Sequence, residues 1–100
     1  MGNKQSVTTG VISDKSFSVV IEYCTSWGYY PKALQLAKVL QEAFPNCKVD
    51  CVVCPTAGGF EVKVTPPSGK ETLVFSKLNG QGMPNNEKIM VILDKIKEII

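Results

Sequence analysis

Along the chain the spacing of apolar positions changes from near-continuous, to every third or fourth residue, to strict alternation, and each change marks a different element. The run Phe-Ser-Val-Val-Ile-Glu-Tyr from Phe17 to Tyr23 is β-branched and aromatic, which predicts a central strand covered on both faces. Pro31 suits the first turn of a helix, where its missing N–H would have no partner in any case. Ala33, Leu36, Ala37, Leu40 and Phe44 then recur on one helical face, with Lys32, Gln35, Lys38 and Glu42 on the other, until Pro45-Asn46 stops the helix. From Cys47 to Val53 the pattern alternates, with Val49, Cys51 and Val53 opposite Lys48, Asp50 and Val52, as expected of a less enclosed edge strand. Phe60 to Val64 alternates cleanly, Pro66-Pro67-Ser68-Gly69-Lys70 turns the chain, and Thr72 to Ser76 completes an antiparallel hairpin. The stretch from Leu78 to Pro84, including Gly80-x-Gly82, reads as a loop. Asn85 or Asn86 caps a last helix whose core stripe is Ile89, Ile92, Leu93, Ile96 and Ile100, with Lys88, Lys95 and Glu98 outward.

The predicted order is β-α-β-β-β-α, an α/β (α+β) arrangement of a four-stranded mixed sheet with two helices. Strand, helix and strand within about 35 residues form a right-handed crossover unit, so the first two strands run parallel and end at the same edge of the sheet. That topology brings Cys24 toward the segment from Cys51 to Cys54. Residues 1–15, rich in Ser, Thr and Gly, read as a flexible tail and 16–100 as the domain.

Composition narrows the function. A chain of 100 residues with 44% hydrophobic and 20% charged residues holds one small core. A net charge of +2, without a basic run interleaved with aromatics, argues against nucleic acid as a partner. No apolar run approaches the roughly 18 residues of a membrane span, and no secretory h-region is seen, so the expected place is the cytoplasm and the four cysteines are expected to be reduced. The chain has no histidine, which excludes Ser-His and Cys-His catalysis. The opening Met1-Gly2-Asn3-Lys4-Gln5-Ser6 fits the pattern for myristoylation at Gly2; one acyl chain without a polybasic patch gives reversible membrane association at most.

The chemistry-bearing stretch is the junction of the first strand and helix, Glu22 to Pro31, which places Cys24 where a helix dipole and unpaired N–H groups favour a thiolate. The competing reading is a small buried hydrophobe at a strand end, and a sulfur sealed inside the protein, or pointing away from the start of a helix, would end the redox reading. Cys51 and Cys54 are the candidates to resolve a disulfide on Cys24; they form a Cys-x-x-Cys on a strand, where extended geometry sends them to opposite faces. Cys47, Cys51 and Cys54 also show an iron–sulfur-like spacing, but a strand does not gather three sulfurs around one point, and no metal is expected. Trp27, Tyr29 and Tyr30 are candidates for a partner-binding surface or for packing at the sheet rim.

Several landmarks follow one another along the chain: Tyr23-Cys24-Thr25-Ser26-Trp27-Gly28-Tyr29, Phe44-Pro45, Gly59-Phe60-Glu61-Val62, and Leu73-Val74-Phe75-Ser76-Lys77 followed by Gly80, Gly82 and Pro84. In these the chain resembles the selenoprotein W family of thioredoxin-like Rdx proteins. The resemblance implies a minimal thioredoxin-like fold, Cys24 as the attacking thiol, and glutathione or a thiol protein as partner to a monomer with no bound cofactor. It also aligns Cys51 with a cysteine of some members and Trp27 with the position of selenocysteine or cysteine. Indole forms no disulfide, so Trp27 either replaces a selenocysteine or marks the loss of a second redox centre. The alternative function is a non-enzymatic adaptor, tethered through Gly2, that binds partners with the same face.

Overall fold

The computed structural model describes residues 11–25, 29–56, 58–81 and 85–100, without the side chains of Asn79 and Gln81. The order is β1 (Phe17–Tyr23), α1 (Tyr29–Ala43), β2 (Cys47–Val53), β3 (Phe60–Thr65), β4 (Thr72–Ser76), a wide π-type turn (Lys77–Gln81) and α2 (Asn86–Ile99). The sheet runs β2-β1-β3-β4, with β1 parallel to β2 and antiparallel to β3, and β3 antiparallel to β4. This is the mixed-sheet, two-helix thioredoxin-like arrangement expected from the order of the elements.

Both helices contribute to one apolar core on one face of the sheet. Ala33, Leu36, Val39, Leu40 and Ala43 of α1 and Ile89, Ile92, Leu93 and Ile96 of α2 are buried with Phe17, Val19, Ile21, Phe60, Val62 and Val64 of the central strands. Val39 and Ala43 join the stripe because they lie three and seven residues beyond Leu36, on the same face of the helix. The rings of Phe17 and Phe44 meet edge to face with centroids 5.2 Å apart, closing the core where α1 ends.

β1 is central, but it is covered on one face rather than two. Its burial alternates from Phe17, with Ser18 exposed and Val20 and Glu22 half-buried on the open side. The near-continuous apolar run misled because Val20 is apolar and yet lies on that open side. There Glu22 sits directly opposite Glu61, a like-charged cross-strand pair that costs stability unless each carboxylate is answered. Lys63 donates to Glu22 Oε2 at 3.1 Å, while buried Glu61 accepts the Ser76 hydroxyl and the Leu78 backbone N–H, the latter at 3.2 Å. Glu61 thereby fixes the turn that leaves β4.

β4 carries an extra residue. Val62 pairs with Phe75 and Lys63 with Leu73, so Val74 is the bulged residue, and Val74 and Phe75 both reach the core although they are adjacent. At the N-terminal side of β1, Ile12 and Ser13 N–H groups donate to the Ala43 carbonyl at 2.7 and 3.3 Å, and Lys15 Nζ donates to the Ile100 carbonyl at 2.6 Å. Asn85 caps α2 by accepting the Lys88 N–H at 2.9 Å. Among the described residues no helix is long and apolar enough to cross a membrane.

Candidate functional site

β1 and β2 pair from Phe17 with Cys47 through Tyr23 with Val53, in strict parallel register. The Cys54 N–H donates to the Tyr23 carbonyl at 2.7 Å, which completes the last pair, Tyr23 with Val53. In that register Cys24 and Cys54 are the residues that follow on the two neighbouring segments. The two cysteines thus stand side by side where the strands end, and the loop joining β2 to β3 returns over them.

Two glycines of that loop meet the two sulfurs. The Gly58 N–H donates to Cys24 Sγ at 3.3 Å, with Gly58 held at φ +80°, a backbone conformation natural to glycine. At Gly59 a β-carbon would lie 2.5 Å from Cys54 Sγ, so the absence of a side chain there makes room for that thiol. Cys24 is 7% exposed and Cys54 8%, yet neither belongs to the apolar core cluster. Among the described residues, Gly58 of the loop meets the Cys24 sulfur and Gly59 the Cys54 sulfur. The expectation of a sulfur standing open at the strand-to-helix junction is thus not met: the Cys24 thiol is buried.

Cys47 and Cys51 differ. With alternate residues of β2 facing the same way, both lie toward α1. Cys47 is buried in the core, its sulfur 3.7 Å from the Leu40 carbonyl and 3.6 Å from Gln41 Nε2. Cys51 is half-buried with its sulfur 3.9 Å from the Ala33 carbonyl. Burial pushes the Cys47 thiol up against the opposing hydrogen bond from Gln41, and burial with the neighbouring Asp50 carboxylate pushes Cys51 up. All four cysteines are thiols. Since Cys47 and Cys51 face α1 and Cys54 the loop, the iron–sulfur-like spacing brings no three sulfurs together, and among the described residues no group of three acidic, His or Cys side chains is placed to hold a metal.

On the open side, Lys63 is raised above the ordinary lysine range, chiefly by its hydrogen bond to Glu22 and that carboxylate's charge, with smaller contributions from Glu71 and Cys54. Tyr29 packs against the core with Lys77 Nζ 5.7 Å from its ring centroid, whereas Tyr30 is 50% exposed and leans on Tyr23 with centroids 5.2 Å apart. The aromatic candidates thus divide into one engaged within the fold and one presented to solvent. Trp27 and Gly2 lie outside the described residues. Sequence reasoning missed Gly58: a backbone N–H carries no residue-type signal, and the adjacent glycines after Cys54-Pro55 marked a loop without marking its contact with sulfur.

The sequence model of the Rdx family matches residues 18–95. Mouse selenoprotein W is 39% identical over 74 residues, covering 72% of this chain and 78% of its own length. The zebrafish selenoprotein W is 36% identical over 83 residues, covering 80% and 91%. Mouse migration and invasion enhancer 1 is 33% identical over 72 residues; the match takes in 72% of this chain and 57% of that protein's length.

Proposed function

We propose that this chain, which belongs to the Rdx family, exchanges thiol for disulfide through Cys24, with glutathione or the thiols of a partner protein as co-substrate. At family level it is a thioredoxin-like redox protein related to selenoprotein W. The observation that carries the finer reading is the Gly58 N–H aimed at Cys24 Sγ, outside the apolar core at the end of β1. Such a donor stabilises negative charge on sulfur, the form in which a thiol attacks a disulfide. Exposure of 7% means that an incoming disulfide must displace the loop carrying Gly58, whose N–H donates to this sulfur at 3.3 Å.

The test follows glutathione-dependent reduction of hydroxyethyl disulfide, together with the pH dependence of Cys24 alkylation. Wild type turns over and Cys24→Ser falls to background, with Cys24 alkylated ahead of an unstructured peptide thiol at neutral pH. Equal rates for wild type and Cys24→Ser would overturn the reading. A second reading, a non-enzymatic adaptor, is favoured by tryptophan at the fourth position of the Cys-x-x-x motif and by half-exposed Tyr30. A myristoyl group on Gly2 would give such an adaptor reversible membrane attachment. Equal rates combined with loss of partner capture in Tyr30→Ala would support it.

A further inference from the structure

A thioredoxin-like thiol needs a second sulfur to release a mixed disulfide, and Trp27 stands where such a sulfur would follow Cys24 in the chain. The fold supplies one from another strand. The register of β1 and β2 pairs residues thirty apart and ends at Tyr23 with Val53, so Cys24 and Cys54 are the next residue on each side, and the inter-strand spacing of about 4.8 Å sets the scale of their Cα separation. Disulfides span roughly 4.4–6.8 Å between Cα atoms. Register partners in a ladder also send their side chains to the same side, and here both sulfurs lie against the consecutive glycines Gly58 and Gly59.

Cys51, the other candidate, is three residues back along β2, about 10 Å at roughly 3.3 Å per residue, well beyond the reach of a disulfide. It also faces α1, against the Ala33 carbonyl.

We infer that Cys54 is the resolving thiol for Cys24, closing a disulfide between the adjoining ends of β1 and β2; the inference rests on the thiol-exchange reading above. The Cys24 thiolate attacks one sulfur of a substrate disulfide, forms a mixed disulfide and expels the first thiolate, which takes a proton from water. The Cys54 thiol gives its proton to water and attacks Cys24 Sγ, expelling the second thiolate, which is protonated in turn. Two electrons pass from the protein thiols to the substrate, which leaves as two thiols. Two glutathione molecules restore the pair by the reverse exchange and leave as glutathione disulfide. Gly59 serves this step because a side chain there would occupy the space of the Cys54 sulfur.

The test treats the reduced full chain with glutathione disulfide, quenches with alkylating agent in acid, digests with trypsin and reads linked peptides by mass spectrometry. Cys24 falls in peptide 16–32, and Cys51 and Cys54 share peptide 49–63, so fragment ions assign the bond within the wild-type protein and no variant is needed to read it. Wild type and Cys51→Ser should yield 16–32 linked to 49–63 through Cys54. Cys54→Ser and Cys54→Ala should lose the link and accumulate glutathione on Cys24. Fragment ions placing the bond at Cys51, or a wild-type protein that stops at glutathionylated Cys24, would overturn the inference and leave thiol exchange standing. Cys24 unmodified in every variant would overturn both.

Discussion

The four cysteines separate into two environments that share strand β2. Cys47 and Cys51, four residues apart, face the helix-covered side, where packing holds their sulfurs against main-chain carbonyls of α1. Cys54, three residues beyond Cys51 and just past the last pair of β2, has the other parity, and its sulfur lies at Gly59 as that of Cys24 lies at Gly58. Distance along the chain says little about which thiols belong together: Cys51 is the nearer neighbour of Cys54 in sequence, yet Cys24, thirty positions away, is its neighbour in space. A strand sorts sulfurs by parity, and a parallel partner then chooses which one is joined to the site.

The largest way to break this contrast is to loosen the helix side. Leu36 is fully buried in α1, one turn from Ala33. Leu36→Ala should cost about 2–5 kcal/mol in urea unfolding, through lost transfer free energy and the cavity left behind. Native-state alkylation should then speed up at Cys47 and Cys51 by more than at Cys24 and Cys54. Equal acceleration at all four would mean that the two environments open as one cooperative unit.

The loop side has its own weak point at Gly59. An added β-carbon meets Cys54 Sγ at 2.5 Å and the Thr56 carbonyl oxygen at 3.2 Å, so Gly59→Ala should destabilise by about 1–3 kcal/mol through overpacking. A double-mutant cycle separates the two contacts. In a Cys54→Ala background the cost should shrink, the double variant losing less than the sum of the single ones, whereas additivity would place the strain at the Thr56 carbonyl.

Much of this organisation was legible in the sequence because it rests on periodicity. The stripe through Ile89, Ile92, Leu93 and Ile96 defined α2, and the alternation from Cys47 to Val53 marked β2 as an edge. Opposite parities for Cys51 and Cys54 followed from the same rule. What escaped involves groups without a side-chain signal or choices made by tertiary pairing. The donor to Cys24 is a backbone N–H of Gly58, and the bulge at Val74 depends on how β3 and β4 register. The open face of β1 was hidden because Val20 is as apolar as its buried neighbour Val19. Which of Cys51 and Cys54 follows the same register step as Cys24 needed the exact pairing of the parallel ladder, which a pattern of hydrophobicity leaves undetermined by a residue or two.

A smaller effect probes the buried member of the helix-side pair. Cys47→Ser puts a hydroxyl among core side chains, but the Leu40 carbonyl stands ready to accept from it and Gln41 Nε2 to donate to it. The cost should be about 1 kcal/mol, near the net value of a satisfied hydrogen bond and below that of an orphaned polar group. In Gln41→Ala the same substitution should cost more, because the hydroxyl oxygen loses its donor.

The finest distinction between the two pairs is their response to alkali. A cysteine is charged only after losing its proton, and burial holds the folded thiols of Cys47 and Cys51 in the neutral form beyond the ordinary thiol range. Between the unfolded pKa and the higher folded value, the folded chain binds more protons than the unfolded one, so stability falls as pH rises through that window. Cys47→Ala and Cys51→Ala should each flatten this fall, whatever they cost at neutral pH. Lys63 acts in the same direction at still higher pH: its proton is held by Glu22, so the stabilisation it gives is complete below the unfolded lysine pKa and is lost as pH climbs through the raised folded value. Urea midpoints measured from neutral to strongly alkaline pH should therefore decline in two stages, the first lessened by the cysteine substitutions and the second by Lys63→Met. If Cys47→Ala and Cys51→Ala leave the first stage unchanged, the helix-side thiols titrate like exposed ones, and parity alone does not set their chemistry.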